Sequence, residues 1–213
     1  MLTKLTQKYK LQLLQKSAKK GTVTFIKQVR LVTLDTIWRE KHLVFEISSG
    51  DFKKETEKPA LELQYKRIET KEELDGLDES IRTEIEETRD WGSPEWLDLR
   101  WSLHLWARDQ NVVGLIWMRG ADTSNGYFIA PPAGSKIIWH AVVLPVFRGD
   151  NLFSHLLKDL MRKEGIQDGG RFFINCRDFN TPSQKSILKA GFHMIGFAKR
   201  NKFTRRILWT PLT

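Results

Sequence analysis

The stretch Val142-Val143-Leu144-Pro145-Val146-Phe147-Arg148-Gly149-Asp150-Asn151-Leu152-Phe153 joins an apolar run, a proline, a basic residue beside a glycine, and the start of a leucine pattern. It reads as a strand that stops at Pro145 and turns directly into a helix. The first N–H groups of a helix have no intrahelical partner. With the positive end of the helix dipole they form an anion site suited to a pyrophosphate. Gly149 lets the backbone bend without a Cβ penalty, and Arg148 adds positive charge. The same turn also serves as a plain connection in α/β proteins, so taken alone it leaves both readings open. His140 lies on the same strand, ahead of Val143. Imidazole titrates near neutrality, which suits a general base. The other reading of His140 is a hydrogen-bonded core residue. Period-two alternation sets His140 and Val143 on opposite faces of the strand. His104 and His155 read as structural. Cys176 reads as a buried apolar residue, with nothing beside it to lower its pKa. No grouping of His, Cys, Asp and Glu shows the spacing of metal ligands, so no metal is expected.

The elements that must hold these residues follow from periodicity and punctuation. Ile137 to Leu144 is nearly all apolar, the pattern of a strand buried on both faces. Asn151 to Glu164 is helical, with Leu152, Leu156, Leu157, Leu160 and Met161 along one side. Phe172 to Cys176 reads as a short buried strand and Pro182 to Ala190 as a helix ended by Gly191. Phe192 to Ala198 and Thr204 to Thr210 read as two last strands. Upstream, Ser102 to Arg108 and Val112 to Met118 read as strands joined by the polar turn Asp109-Gln110-Asn111. Gly120 to Gly134 reads as a loop. Thr70 is placed to N-cap an acidic helix running to about Asp90, with Glu73 completing a capping box. His42 to Ile47 and Leu61 to Tyr65 read as strands, with a charged loop from Gly50 to Pro59 between them. Residues 22–34 are β-branched and fit either a strand or a helix. Residues 2–19 set Leu2, Leu5, Tyr9 and Leu13 at helical spacing among lysines. That helix fits packing on its own domain, or peripheral contact with a membrane surface or a partner.

The chain has 213 residues, enough for a domain with a core plus an extension. Residues 1–40 read as a basic N-terminal extension and 41–213 as the folded domain. No apolar run approaches the roughly 20 residues that span a bilayer, and no signal-peptide pattern opens the chain. A single cysteine excludes an intrachain disulfide and fits a reducing, cytoplasmic setting. The net charge is +9, unevenly spread: residues 1–30 hold no acid, residues 69–90 hold ten, and the chain from Phe179 onward again holds none. Basic ends favour anionic partners such as a polyphosphate cofactor, nucleic acid or anionic lipid.

Val-x-Pro-x-x-Arg-Gly-x-x-Leu from Val143 to Leu152, followed by a Leu-Leu helix, resembles the cofactor motif of the Gcn5-related N-acetyltransferase (GNAT) family. Asn180-Thr181-Pro182-Ser183, followed by Lys189-Ala190-Gly191-Phe192, resembles that family's next motif, and the helix and strand between them match as well. The resemblance covers residues 137–200 well and 100–118 loosely. It implies a mixed α+β fold, with a central mixed, largely antiparallel sheet flanked by helices. It also implies acetyl-CoA as co-substrate and direct transfer to a primary amine, without a covalent enzyme intermediate. On that footing the backbone of Arg148, Gly149, Asp150, Asn151, Leu152 and Phe153 holds the pyrophosphate, with Asn180 and Ser183 also at the cofactor. The main chain of Val142 and Val143 positions the acetyl arm and steadies developing negative charge. His140 is the first candidate for the base. Asp178 follows a strand that flanks the cofactor in this family, and is the second.

The departures bear on mechanism. Later glycines of the family's turn are replaced by Asn151 and Phe153, of which asparagine tolerates unusual backbone angles. The family often has a tyrosine four residues before Gly-Phe that protonates the leaving thiolate; here that position is Ile187. The expected acceptor is a small-molecule amine, with an amino sugar or sugar nucleotide among the choices, and Trp91, Trp96 and Trp101 are available to line its pocket. A protein N-acetyltransferase and a non-catalytic acyl-CoA-binding module are the alternatives, the latter favoured by Ile187. A nucleic-acid partner is not expected, although Lys199, Arg200, Lys202, Arg205 and Arg206 would suit one.

Overall fold

A computed structural model describes residues 40–48, 51, 63–88, 91–123, 126–149, 151–166, 169–201, 204 and 206–212. The expected helix over 2–19, the segment 22–34, most of the charged loop, and Asp150 lie outside these. Contacts divide the chain into Met1–Lys41 with Ala198–Leu208, and His42–Phe197 with Trp209–Thr213. In the first unit the described turn is closed by Asn201 N donating to Arg206 O at 2.9 Å and by Thr204 N donating to Asn201 Oδ1 at 2.9 Å.

The strands are β1 (Glu40–Ser48), β2 (Gln64–Ile68), β3 (Ser102–Arg108), β4 (Asn111–Gly120), β5 (Lys136–Val143), β6 (Arg171–Arg177), β7 (His193–Arg200) and β8 (Ile207–Pro211). The helices are α1 (Lys71–Asp75), α2 (Glu79–Glu87), α3 (Glu95–Asp98), α4 (Leu152–Glu164) and α5 (Thr181–Lys189). All eight strands form one sheet in the order β2-β3-β4-β5-β6-β1-β7-β8. The ladders from β2 to β5 and the β1–β6 ladder are antiparallel, and β5–β6 is parallel. The mixed, largely antiparallel sheet flanked by helices is therefore as expected.

Helices cover both faces of the sheet, which buries each face in its own core. On one face Leu152, Leu156, Leu157 and Leu160 of α4 and Ile187 of α5 pack with Phe45, Ile116, Phe172 and Ile174. On the other, Leu74, Ile81, Ile85 and Leu97 of α1–α3 pack with Leu103, Leu115 and Trp117. The Trp106 indole N–H donates to Asp159 at 2.8 Å and ties β3 to α4. Val112 N donates to Glu84 at 2.6 Å and ties β4 to α2.

Two local expectations change. The acidic helix is two helices, because Gly76 caps α1 after five residues and the chain restarts at Asp78. Thr70 Oγ1 does cap Glu73 N at 3.2 Å, but Glu73 reaches back to Glu69 N at 2.7 Å, one residue before the cap. The β3–β4 turn holds only Asp109 and Gln110, both with positive φ, as a two-residue hairpin turn requires; Asn111 already pairs with Arg108. None of the described helices is long and apolar enough to cross a membrane.

Candidate active site

The site is set by where β5 and β6 stop pairing. Their parallel ladder joins Lys136, Ile137 and Ile138 to Phe172, Phe173 and Ile174. β5 then continues to Val143 and β6 to Arg177, and among the described residues no further ladder pair joins them. The departure coincides with a bulge in β5. Trp117 faces His140 and Met118 faces Ile138, so Trp139 is the extra residue. A bulge adds one residue to one strand and bends it locally, which turns the last half of β5 away from its parallel neighbour.

Beyond the bulge the alternation holds. Ala141 and Val143 pack on the α4 side, and Val142 packs on the α1–α3 side. His140 shares the Val142 side, with its ring 6.1 Å from that of Trp96 in an edge contact. Trp139 packs on this side too, against Trp101 at 5.8 Å. Arg119 lies over both indoles, 4.4 Å from the Trp139 centroid and 4.9 Å from Trp101. Histidine and valine are thus on opposite faces, as alternation required.

The turn leaving β5 is a short 3₁₀ helix (Pro145–Phe147), then Arg148 and Gly149, then Asn151 at the start of α4. Gly149 has φ +133° and Asn151 sits in the left-handed region at φ 59°. The first is open to glycine and the second to asparagine. Leu152 N donates to Gly149 O at 3.0 Å, and Ser154 Oγ, from a buried side chain, donates to Asn151 O at 2.8 Å. The Asn151 side chain makes no capping bond, and the first turn of α4 holds no acid. Arg148 is exposed, and its Nε donates to Val143 O at 2.9 Å, tying the turn to the end of β5. An uncapped helix start with a basic residue beside it fits an anion.

Since β5 and β6 run parallel, their C-terminal ends lie at the same end of the sheet. Val146 and Phe179, on the two outgoing connections, are 82% and 65% exposed. Asp178 sits on the exposed turn after β6, where its carbonyl accepts from Gln184 Nε2 at 2.8 Å. Asn180 caps α5, its Oδ1 accepting from Ser183 N at 3.3 Å, and Ser183 is half-buried. The fold therefore brings Arg148, Gly149 and Asn151 together at one helix start and Asn180 with Ser183 at another. His140 and Asp178 stand on different elements. Ile187 is 1% exposed, in the core with α4, and offers no hydroxyl. The Cys176 thiol is pushed up to about 12 by burial and then by the Asp178 charge, so it stays protonated.

Sequence reasoning passed over a second polar group on the His140 face. His42 of β1 takes a hydrogen bond at Nδ1 from the Asn175 amide of β6 at 3.1 Å, and its ring lies 4.8 Å from that of Phe128. The signal was an asparagine within Phe-Phe-Ile-Asn-Cys, but its partner stands 133 residues away.

No protein-family model matches the chain, and no curated protein matches it by sequence. Among solved structures it is similar to an acetyltransferase of the GNAT family from Colwellia psychrerythraea, with a TM-score of 0.50 and 14% identity, covering 74% of this chain and 53% of that one. It is also similar to a functionally unknown conserved protein from Staphylococcus epidermidis ATCC 12228, with a TM-score of 0.51 and 12% identity, covering 78% of this chain and 64% of that one. The chain spans between 53% and 64% of the length of these two proteins. At such identities the likeness is one of fold, and the fold of this chain is GNAT-like.

Proposed function

We propose that the chain is an acetyl-CoA-dependent N-acetyltransferase acting on the primary amine of a small molecule. The observation that carries this reading is the parting of β5 from β6 beside an uncapped, basic helix start. An extended arm would lie between the two strands where their pairing ends. The helix start and turn receive the phosphates at the end of that arm. Val146 and Phe179 leave apolar surface at the same end of the sheet, suited to the arm's carbon chain. The Colwellia protein is an acetyltransferase of the GNAT family, which supports the same chemistry here.

Each residue then has a task. The Arg148 and Leu152 N–H groups already donate to Pro145 O and Gly149 O, so the other backbone N–H groups between Arg148 and Phe153 hold the pyrophosphate, and the Arg148 charge strengthens the site. The main chain of Val142 and Val143 lines up the acetyl arm, and positioning of this kind supplies much of the rate. The amine nitrogen forms a bond to the acetyl carbon as the carbon–sulfur bond breaks. The amine loses its proton to His140, on the face of β5 away from Val143, or to Asp178 on the turn after β6. The thiolate leaves and takes its proton from water, since position 187 supplies no hydroxyl. Asn180 and Ser183 order the start of α5 beside the arm.

Calorimetric titration with acetyl-CoA tests the cofactor site. The intact chain is expected to bind at micromolar affinity. An Arg148→Ala/Gly149→Trp variant with unchanged circular dichroism is expected to lose roughly 10-fold or more, the scale of a charge-assisted contact. Heat signals absent from the intact protein would end this reading.

A further inference from the structure

On the side of the sheet that carries His140, the buried atoms Asn175 Oδ1 and Tyr127 Oη find no hydrogen-bond partner among the described residues. Asn175 is the first residue of β6 beyond the β5 ladder on this face, since Phe173 pairs with Ile137 and alternation returns two residues later. Its Nδ2 is used by His42, while its Oδ1 is buried and finds no hydrogen-bond partner among the described residues. Tyr127, from the connection before β5, is 6% exposed, and its hydroxyl also finds none. Its ring lies 6.2 Å from Trp139, 6.3 Å from Phe173 and 5.3 Å from Phe128. Phe128 in turn lies against His42, the partner of Asn175. The two orphaned atoms therefore belong to one aromatic-walled patch, next to the point where β5 and β6 part.

Buried polar groups left unpaired cost about 1–3 kcal/mol each, and native structures carry few of them. Chemistry narrows what would satisfy these two. Asn175 Oδ1 takes an N–H, and the Tyr127 hydroxyl gives or takes one bond. The walls are π faces, and on Trp139 one already carries the Arg119 guanidinium. On β5 and the paired stretches of β1 and β6, the carboxylate among the described residues is Glu46, held by Arg171 at 2.5 Å and facing His193 at 3.4 Å. Among the described residues of these strand stretches a polycation would find no second acid. A ring with a face that packs on aromatic walls, bearing one amine, would stack here and offer its N–H to Asn175.

We infer that this patch is the acceptor site of the transfer proposed above, and that its substrate is a primary amine carried on a stacking ring, oriented by Asn175 and Tyr127. The inference rests on that proposal. Sugar and aryl rings share the chemistry, and the test separates them. Acetyl transfer is followed by thiol release with glucosamine, 2-phenylethylamine and spermidine at saturating acetyl-CoA. One or both ring amines are expected to exceed spermidine in kcat/KM by about 10-fold or more, the scale of one lost specific contact. Asn175→Leu is expected to lower ring-amine kcat/KM by about 10-fold while acetyl-CoA affinity stays within about 2-fold, the pattern of a lost acceptor contact. Tyr127→Phe is the companion variant. It removes an unpaired buried hydroxyl, so Tm is expected to hold or rise while ring-amine turnover falls. Equal or better turnover of spermidine overturns the inference, as does unchanged ring-amine kinetics in both variants. So does a fall in Tm and in acetyl-CoA affinity together, which marks a structural role. Acetyl-CoA binding without transfer to either ring amine sinks this inference alone. Absence of acetyl-CoA binding in the intact protein sinks the proposed function and this with it.

Discussion

His104 is wholly buried, with Nδ1 at 2.8 Å from the Tyr65 hydroxyl and Nε2 at 2.8 Å from Ser102 Oγ. Burial pulls its pKa down to about 4, against a partial upward pull from Glu164. The folded chain therefore keeps it neutral where the unfolded chain already takes up a proton. Stability contributed this way is present above about pH 6.5, the unfolded value, and is lost as pH falls toward 4. Glu164 follows at lower pH. Burial alone would raise its carboxyl, but the Lys136 hydrogen bond at 2.8 Å, with His104, Lys136 and Arg67 charges, holds it below the usual range. Urea midpoints at several pH values should show a decline between about pH 6.5 and 4 that is shallower in His104→Gln. Parallel curves would remove His104 as the cause. A backbone test applies at the turn. Asn151 has φ 59°, a region costly to β-branched side chains. Asn151→Val should lose about 1–3 kcal/mol, and Asn151→Gly much less. Equal losses would show that side-chain contacts, not φ, select asparagine there. The resemblance set a family glycine position at Asn151, a residue that tolerates unusual backbone angles, and the structure gives it one. The sequence alone could not show that Asn175 Oδ1 finds no partner among the described residues, because the amide is oriented by His42, 133 residues away.

At the scale of elements, α4 sits close on the sheet because β4 has no side chain at Gly114. A Cβ there would stand 2.7 Å from Leu156 Cδ1 and 3.0 Å from Val142 O. Gly114→Ala must move either the helix or the end of β5. A loss of about 1–3 kcal/mol is expected, as for overpacked cores, with weaker acetyl-CoA binding because Val142 shifts. An unchanged urea midpoint would mean that Leu156 simply rotates aside. The elements themselves were readable where one signal repeats: the leucines of α4, the apolar run of β5, the Asn-Thr-Pro start of α5. They were misread where a single residue overrides a pattern, as Gly76 does in the acidic helix. The bulge at Trp139 left no trace, since no glycine or proline marks it and the run is apolar on either side. The place of β1 between β6 and β7 was also hidden. Periodicity tells which face of a strand is buried, and says nothing about which distant strand lies beside it.

For the molecule as a whole, the charge and the proposed cofactor make one joint demand. The chain carries +9 at neutral pH, and the turn at Arg148 and Gly149 has no acid in the helical turn that follows. A polyphosphate ligand would be drawn in by this field, and the field is screened beyond about 8 Å at physiological salt. A ligand that binds only the folded state raises its stability by about 2.7 kcal/mol at 100 times Kd, or several degrees in Tm for a chain of this size. Acetyl-CoA should therefore raise Tm at about 50 mM salt and do so less at about 500 mM, as screening shortens the reach of the basic surface. The KM of a singly charged ring amine, seated by stacking and hydrogen bonds, should move little over the same range. The two ligands thus separate the roles of charge and shape. A Tm rise indifferent to salt would place the cofactor's affinity in the backbone N–H groups and apolar arm contacts, with Arg148 and the wider charge contributing little.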